Sequence, residues 1–195
     1  MPTGVALRDV REQLFDAAGR VLLQAGPSAL TSRAITDEAG VAKGVLHRHF
    51  ADFDTFLAEF VLDRIHRMDP KAAALREATG SGRVVDNLAE ALIGLFGSVA
   101  VATVALVTFR DGLRARLRDT WPAGVPVLTD AADIIAGYLD AERNGGRIKP
   151  DADVDTIAFM LIGAGHLLFA DRTGPPPEPS VVRIKVAAIV GPHLS

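Results

Sequence analysis

Residues 30–50, LTSRAITDEAGVAKGVLHRHF, constrain the fold of this chain more than any other stretch. Ile35, Ala39, Val41, Leu46 and Phe50 recur at the spacing of two short helices, and Gly40-Val41 separates them where the backbone must turn. Glycine supplies the positive φ that such a turn demands. Thr31 precedes the first short helix, where its hydroxyl accepts from a free backbone N–H. Upstream, Leu7, Val10, Leu14, Ala17, Ala18, Val21 and Leu22 share one helical face, and Gly26-Pro27 stops that helix. The apolar residues of the pair therefore face Leu14, Ala18 and Leu22. Lys43, Gly44, Val45, His47 and Arg48 are left on the outward side of the second short helix. A recognition helix puts its N-terminal residues against base edges in the major groove. Short helix pairs with a glycine turn also occur in helical proteins that bind no DNA.

Helical spacing continues through the rest of the chain. Asp52 or Asp54 caps a helix carrying Phe56, Leu57, Phe60, Val61 and Ile65, which Asp69-Pro70 interrupts. Further helices are expected at about 83–97, 99–119, 126–143, 152–171 and 179–191, separated by glycine- and proline-rich turns. The valine-rich run 99–107 has some strand character, but its neighbours are helical and no hairpin partner is visible. The expectation is an all-α chain of about nine helices. Residues 1–52 are expected to form a small three-helix unit, the helix-turn-helix domain, and residues 53–195 a larger, more apolar helical body. Residues 91–109 carry no charge, long enough to raise the question of a membrane span. Gly94, Gly97, Ser98, Thr103 and Thr108 interrupt the stretch and no aromatic or lysine anchors flank it, so it is expected to form two buried helices meeting near Gly97-Ser98.

Charge argues against a simple reading of the first segment. The chain has net charge −3, and residues 1–60 hold six bases against eight acids. DNA binding must therefore rest on where the bases sit rather than on their number. The chain has no cysteine, which excludes disulfides and thiolate metal sites. The first fourteen residues lack the apolar core of a signal peptide, so a cytoplasmic protein is expected.

The block AITDEAGVAKGVLHRHFADFDTFL resembles the DNA-binding domain of the tetracycline-repressor-like (TetR) family of bacterial transcriptional regulators. The resemblance extends over residues 8–60; beyond that only the helical layout agrees. It implies that Thr31, Ser32 and Arg33 lie near phosphate, that Lys43, Gly44, Val45 and Arg48 address base edges, and that His47 meets the backbone. Arg33 and Arg48 also admit a plainer reading as solvated surface charges. Three positions depart from the family pattern. Ala42 replaces a serine that would cap, His47 replaces a tyrosine, and Phe53 replaces a phosphate-binding lysine. The resemblance further implies a homodimer through the last two helices and a palindromic operator. A small apolar effector would bind in the C-terminal body and lower operator affinity. The alternative is a helical small-molecule-binding protein whose DNA binding is weak or lost.

Other chemistry finds little support. His47 and His49 point to nearly opposite sides of a helix and cannot chelate one ion; His66 and His193 lack spaced partners. No metal or other cofactor is expected. No nucleophile elbow, phosphate loop or dinucleotide motif is present, so an enzyme is not expected. Asp151, Asp153 and Asp155 suit the start of a helix. Phe96, Phe109, Leu113, Trp121, Ile162 and Phe169 are candidates to line an apolar effector pocket, with His166 orienting the ligand; an ordinary core is the plainer reading of each.

Overall fold

The computed structural model describes residues 4–97, 100–118, 122, 125–170 and 174–195. Among these, eleven α-helices account for the regular structure: α1 Gly4–Ala25, α2 Ser32–Glu38, α3 Val45–His49, α4 Phe53–His66, α5 Asp69–Glu77, α6 Val84–Phe96, α7 Ala100–Phe109, α8 Asp111–Leu117, α9 Leu128–Asn144, α10 Val154–Phe169 and α11 Pro179–Val190. The all-α expectation is met, with two helices more than the spacing indicated. Asp69-Pro70, expected only to interrupt a helix, opens a new one, since proline suits the first turn where its missing N–H goes unused. The long expected segment 99–119 divides at Arg110, whose backbone is extended. The valine-rich run is helical within α7.

The helices group into two compact units that do not follow chain order. One combines residues 1–64 with 102–126, so the boundary expected after residue 52 falls inside it; the other combines 65–101 with 127–195. The uncharged stretch separates into α6 and α7, as its glycine and serine indicated, and no single described helix is long and apolar enough to cross a membrane.

In the first unit the core follows from the spacing of apolar residues. Leu14, Ala17, Ala18 and Leu22 of α1, Ile35 of α2, Leu46 of α3 and Phe56, Leu57 and Phe60 of α4 are fully buried. Phe15 lies 5.7 Å from Phe50, 5.5 Å from Phe56 and 6.3 Å from Phe60, while Phe50 meets Phe56 edge-on at 4.9 Å. Edge and offset geometry suits rings whose faces are negative and rims positive.

In the second unit α9 packs on α10, and α11 on α6. Glu142 is wholly buried yet satisfied: it accepts from the Gly80 amide and pairs with Arg147 at 3.4 Å. Nearby, Asn87 donates to the Tyr138 hydroxyl at 2.9 Å, and burial holds that phenol protonated well above its ordinary range. Gly165 lies directly against the Phe96 ring. A Cβ there would stand 2.4 Å from the Phe96 ring, which is itself stacked on Phe169 at 5.9 Å. Gly165→Ala is expected to lower stability by about 1–3 kcal/mol through overpacking. Gly137→Ala, on α9 with nothing within 4 Å of the new methyl, is expected to be neutral or up to ~1 kcal/mol stabilising. Urea unfolding of both variants checks the contrast.

Candidate nucleic-acid interface

Thr31 starts α2 as the sequence indicates: its hydroxyl accepts from the Ala34 amide at 3.1 Å. The turn at the other end of α2 is formed by main-chain hydrogen bonds. Gly40 has φ of 66°, its amide donates to Asp37 at 3.2 Å, and the Val41 amide donates to Thr36 at 3.0 Å. That pair of bonds is a Schellman closure, and it leaves the side chains of residues 41–44 free of any part in holding the turn. Thr36, buried between the turns, donates its hydroxyl to Ser32 and Arg33 carbonyls.

α3 has one deep anchor, Leu46, fully buried, and ends at the buried Phe50. Between and before them Lys43, Gly44, His47 and Arg48 are exposed, and Val45 is partly covered. Among the described residues neither Lys43 nor Arg48 has an ion-pair partner, so both cations stand ready for an external anion. Arg33 is exposed but sits 3.5 Å from Asp37 one turn on, and Ser32 is half-buried. The cap position of α3 is Gly44, so no side chain caps it; the Ala42 carbonyl accepts from the Val45 amide at 2.9 Å.

α3 is held from behind. The Arg11 guanidinium lies 4.3 Å over the Phe50 ring, donates to the His49 carbonyl at 3.0 Å and pairs with Glu59. Gln13 donates to the Ala39 carbonyl at 2.7 Å. These bonds use carbonyls that helix ends leave unpaired.

The start of α4 differs from what Phe53 alone implied. Phe53 stacks on Phe56 at 5.9 Å, and the Arg110 guanidinium stands 5.3 Å from the Phe53 ring centre. Arg110 pairs with Asp54 at 3.2 Å, and Arg116 with Asp52 at 2.7 Å. Sequence reasoning missed both arginines. Their only signal was a basic run at 110–118, remote in the chain from the helix-turn-helix.

The match to known proteins falls on this framework. Residues 14–59 fit the pattern described as bacterial regulatory proteins of the tetR family. The chain resembles the TetR family over that segment. It is 27 % identical over 158 residues to the HTH-type transcriptional repressor KstR2 of Rhodococcus jostii (strain RHA1), covering 78 % of this chain and 74 % of that protein. Among solved structures, a TetR-family regulator from Rhodococcus sp. superposes with a TM-score of 0.70 at 19 % identity, over 96 % of this chain and 100 % of that one. The ketosteroid transcriptional regulator KstR2 of Mycobacterium tuberculosis gives 0.63 at 18 %, over 95 % of each chain. The solved structures share the fold, and the family pattern falls on the helix-turn-helix near the N-terminus.

The expected effector residues fall in both compact units. Phe96, Ile162, His166 and Phe169 lie in the second unit, with Phe96 6.4 Å from His166. His166 Nδ1 is buried with no hydrogen-bond partner among the described residues. Phe109, 80 % exposed, and the buried Leu113 belong to the first unit. Trp121 lies outside the described residues. Two cavities of the second unit flank α5. One of about 210 Å³ is lined by Lys71, Leu75, Asn87, Glu90 and Ala91, and another of about 530 Å³ by Arg76, Thr79, Asp133, Ile134 and Gly137. Lys71 is an exposed residue whose partial desolvation lowers its pKa, and it donates to the Gly94 carbonyl.

The turn supplies a clean test. Gly40→Ala is expected to destabilise by about 1–2 kcal/mol, because an alanine pays the left-handed penalty although nothing obstructs its methyl. Gly44→Ala has ordinary φ and open space, and should leave the unfolding midpoint unchanged.

Proposed function

We propose that this chain is a homodimeric repressor that binds a palindromic operator through α3 and leaves it when a small, mostly apolar effector binds the C-terminal body. The carrying observation is the pair of exposed cations Lys43 and Arg48, without ion-pair partners among the described residues, on a helix anchored from behind by Leu46 and Phe50. Thr31, Ser32 and Arg33 then flank the phosphate backbone, Lys43, Gly44, Val45 and Arg48 meet base edges, and His47 meets the backbone. The relative in Rhodococcus jostii is a repressor, which supports that sign of regulation.

The dimer reading draws on α10 and α11. Phe159 and Leu167 are 76 % and 78 % exposed and share one face of α10 with Gly163, whose site is open; Ile184 of α11 is 65 % exposed. An apolar stripe with a glycine in its centre favours close helix packing against a second copy. Two reading helices in such a dimer meet half-sites about one DNA turn apart, ~34–36 Å. The effector reading draws on the Phe96, Ile162, His166 and Phe169 cluster and on the cavities beside α5. An effector carrying a hydrogen-bonding oxygen on an apolar frame suits the unpaired His166 nitrogen. The structural neighbour described as a ketosteroid regulator makes that frame a sensible first class to screen.

Mobility shift on the DNA upstream of the chain's own gene tests the reading. A sequence-selective complex weakening steeply between about 50 and 200 mM salt is expected. Lys43→Ala should weaken it more than tenfold with the dimer intact. The absence of any selective complex would favour the alternative, a helical binding protein without operator affinity. Phe159→Glu is expected to convert the dimer to monomer in sedimentation; an unchanged mass would place the interface elsewhere.

A further inference from the structure

We propose that Arg110 and Arg116 are positioning residues of the DNA-binding face: by pairing with Asp54 and Asp52 they neutralise the acidic start of α4 and allow a phosphate backbone to approach α3. The inference rests on the DNA-binding reading above and adds to it two residues that lie 56 and 64 positions beyond their partners.

The first 64 residues are acidic, with seven bases against nine acids. Folding changes that balance. Residues 102–126, in the same compact unit, contribute four arginines against two aspartates, which brings the unit to neutrality. The added charge is not spread at random. Asp52 follows Arg48 by four residues, a reach of at most about 14 Å. That is less than two Debye lengths at physiological salt, each about 8 Å. Uncompensated carboxylates at 52 and 54 would repel any phosphate that Arg48 attracts.

Asp52 has a structural duty that keeps it charged. Its Oδ1 accepts from the Thr55 amide at 2.6 Å and so caps α4. That amide, the Thr55 hydroxyl and the Arg116 guanidinium together hold its carboxyl below the usual range. Arg116 occupies the other oxygen: it donates to Oδ2 at 2.7 Å and to the Thr55 hydroxyl at 3.0 Å. Arg110 does the same for Asp54 at 3.2 Å, with its guanidinium 5.3 Å from the Phe53 ring centre. Gly112 lets the backbone of α8 come close, since a Cβ there would stand 3.1 Å from Asp54 Oδ2. Both ion pairs are between a third and a half exposed, a setting in which such pairs add little to stability. Their removal is therefore close to a pure change of charge.

The test uses the full chain and a fluorescent mixed-sequence 30-base-pair duplex, because phosphate attraction does not depend on sequence. Anisotropy titrations are run at several salt concentrations, with urea unfolding of every variant as the check on folding. Arg116→Ala is expected to bind about three- to tenfold more weakly at low salt, the gap closing as salt rises. The double variant Asp52→Asn with Arg116→Ala is expected to recover to within about twofold, since asparagine still caps the helix but carries no charge. Asp52→Asn alone, which does not depend on the fold tolerating loss of the arginine, should bind more tightly than the unaltered chain. Unchanged binding by Arg116→Ala overturns the proposal. So does a double variant as weak as Arg116→Ala, which would make the arginine a structural clasp, and so does a single Asp52→Asn that fails to tighten. If the unaltered chain binds no duplex, the DNA-binding reading falls and this inference with it, an outcome distinct from the other three.

Discussion

The cluster of Phe15, Phe50, Phe56 and Phe60 is the interaction on which the reading head depends. Short helices such as α2 and α3 do not persist alone in water, because nucleating a helix costs more than a few bonds return. Their geometry must come from what they pack against. Phe50 closes α3, Phe15 belongs to α1, and Phe56 and Phe60 lie on successive turns of α4. Three helices are thus pinned at one point immediately behind the exposed face. Arg11 extends the same point into polar contacts by stacking on Phe50 and donating to the last carbonyl of α3.

The helix-turn-helix was legible because its information is local. Ile35, Ala39, Leu46 and Phe50 keep helical spacing on each side of Gly40, and each feature of that pattern has a single-residue cause. The effector side was less legible. Phe96, Phe109 and Leu113 are alike in a sequence of apolar helices, yet the fold puts Phe96 in the second compact unit and the other two in the first. The cavities beside α5 escaped notice because Asp69-Pro70 signals an interruption equally well as a new first turn. Side chains such as Lys71 and Asn87 become cavity walls only once that short helix is present.

Phe53 illustrates the limit of comparing single positions. Taken alone, it removes a cation from the first turn of the fourth helix. In the folded chain that turn receives Arg110 and Arg116 from a distant segment. Charge that is absent from a linear window can be supplied across tertiary contacts, so net charge along a sequence segment is a poor guide to the field at a surface. The field follows the compact unit, which in this chain gathers two separated stretches.

The Schellman closure at Gly40 also has an evolutionary consequence. All its hydrogen bonds run between main-chain atoms, and the residues that follow it contribute no side chain to the closure. Substitutions at Ala42, Lys43 or Gly44 can therefore alter the exposed face without renegotiating the fold. The turn's stability and the chemistry of its exposed face are set by different atoms, so a lineage carrying this turn can change that face one substitution at a time.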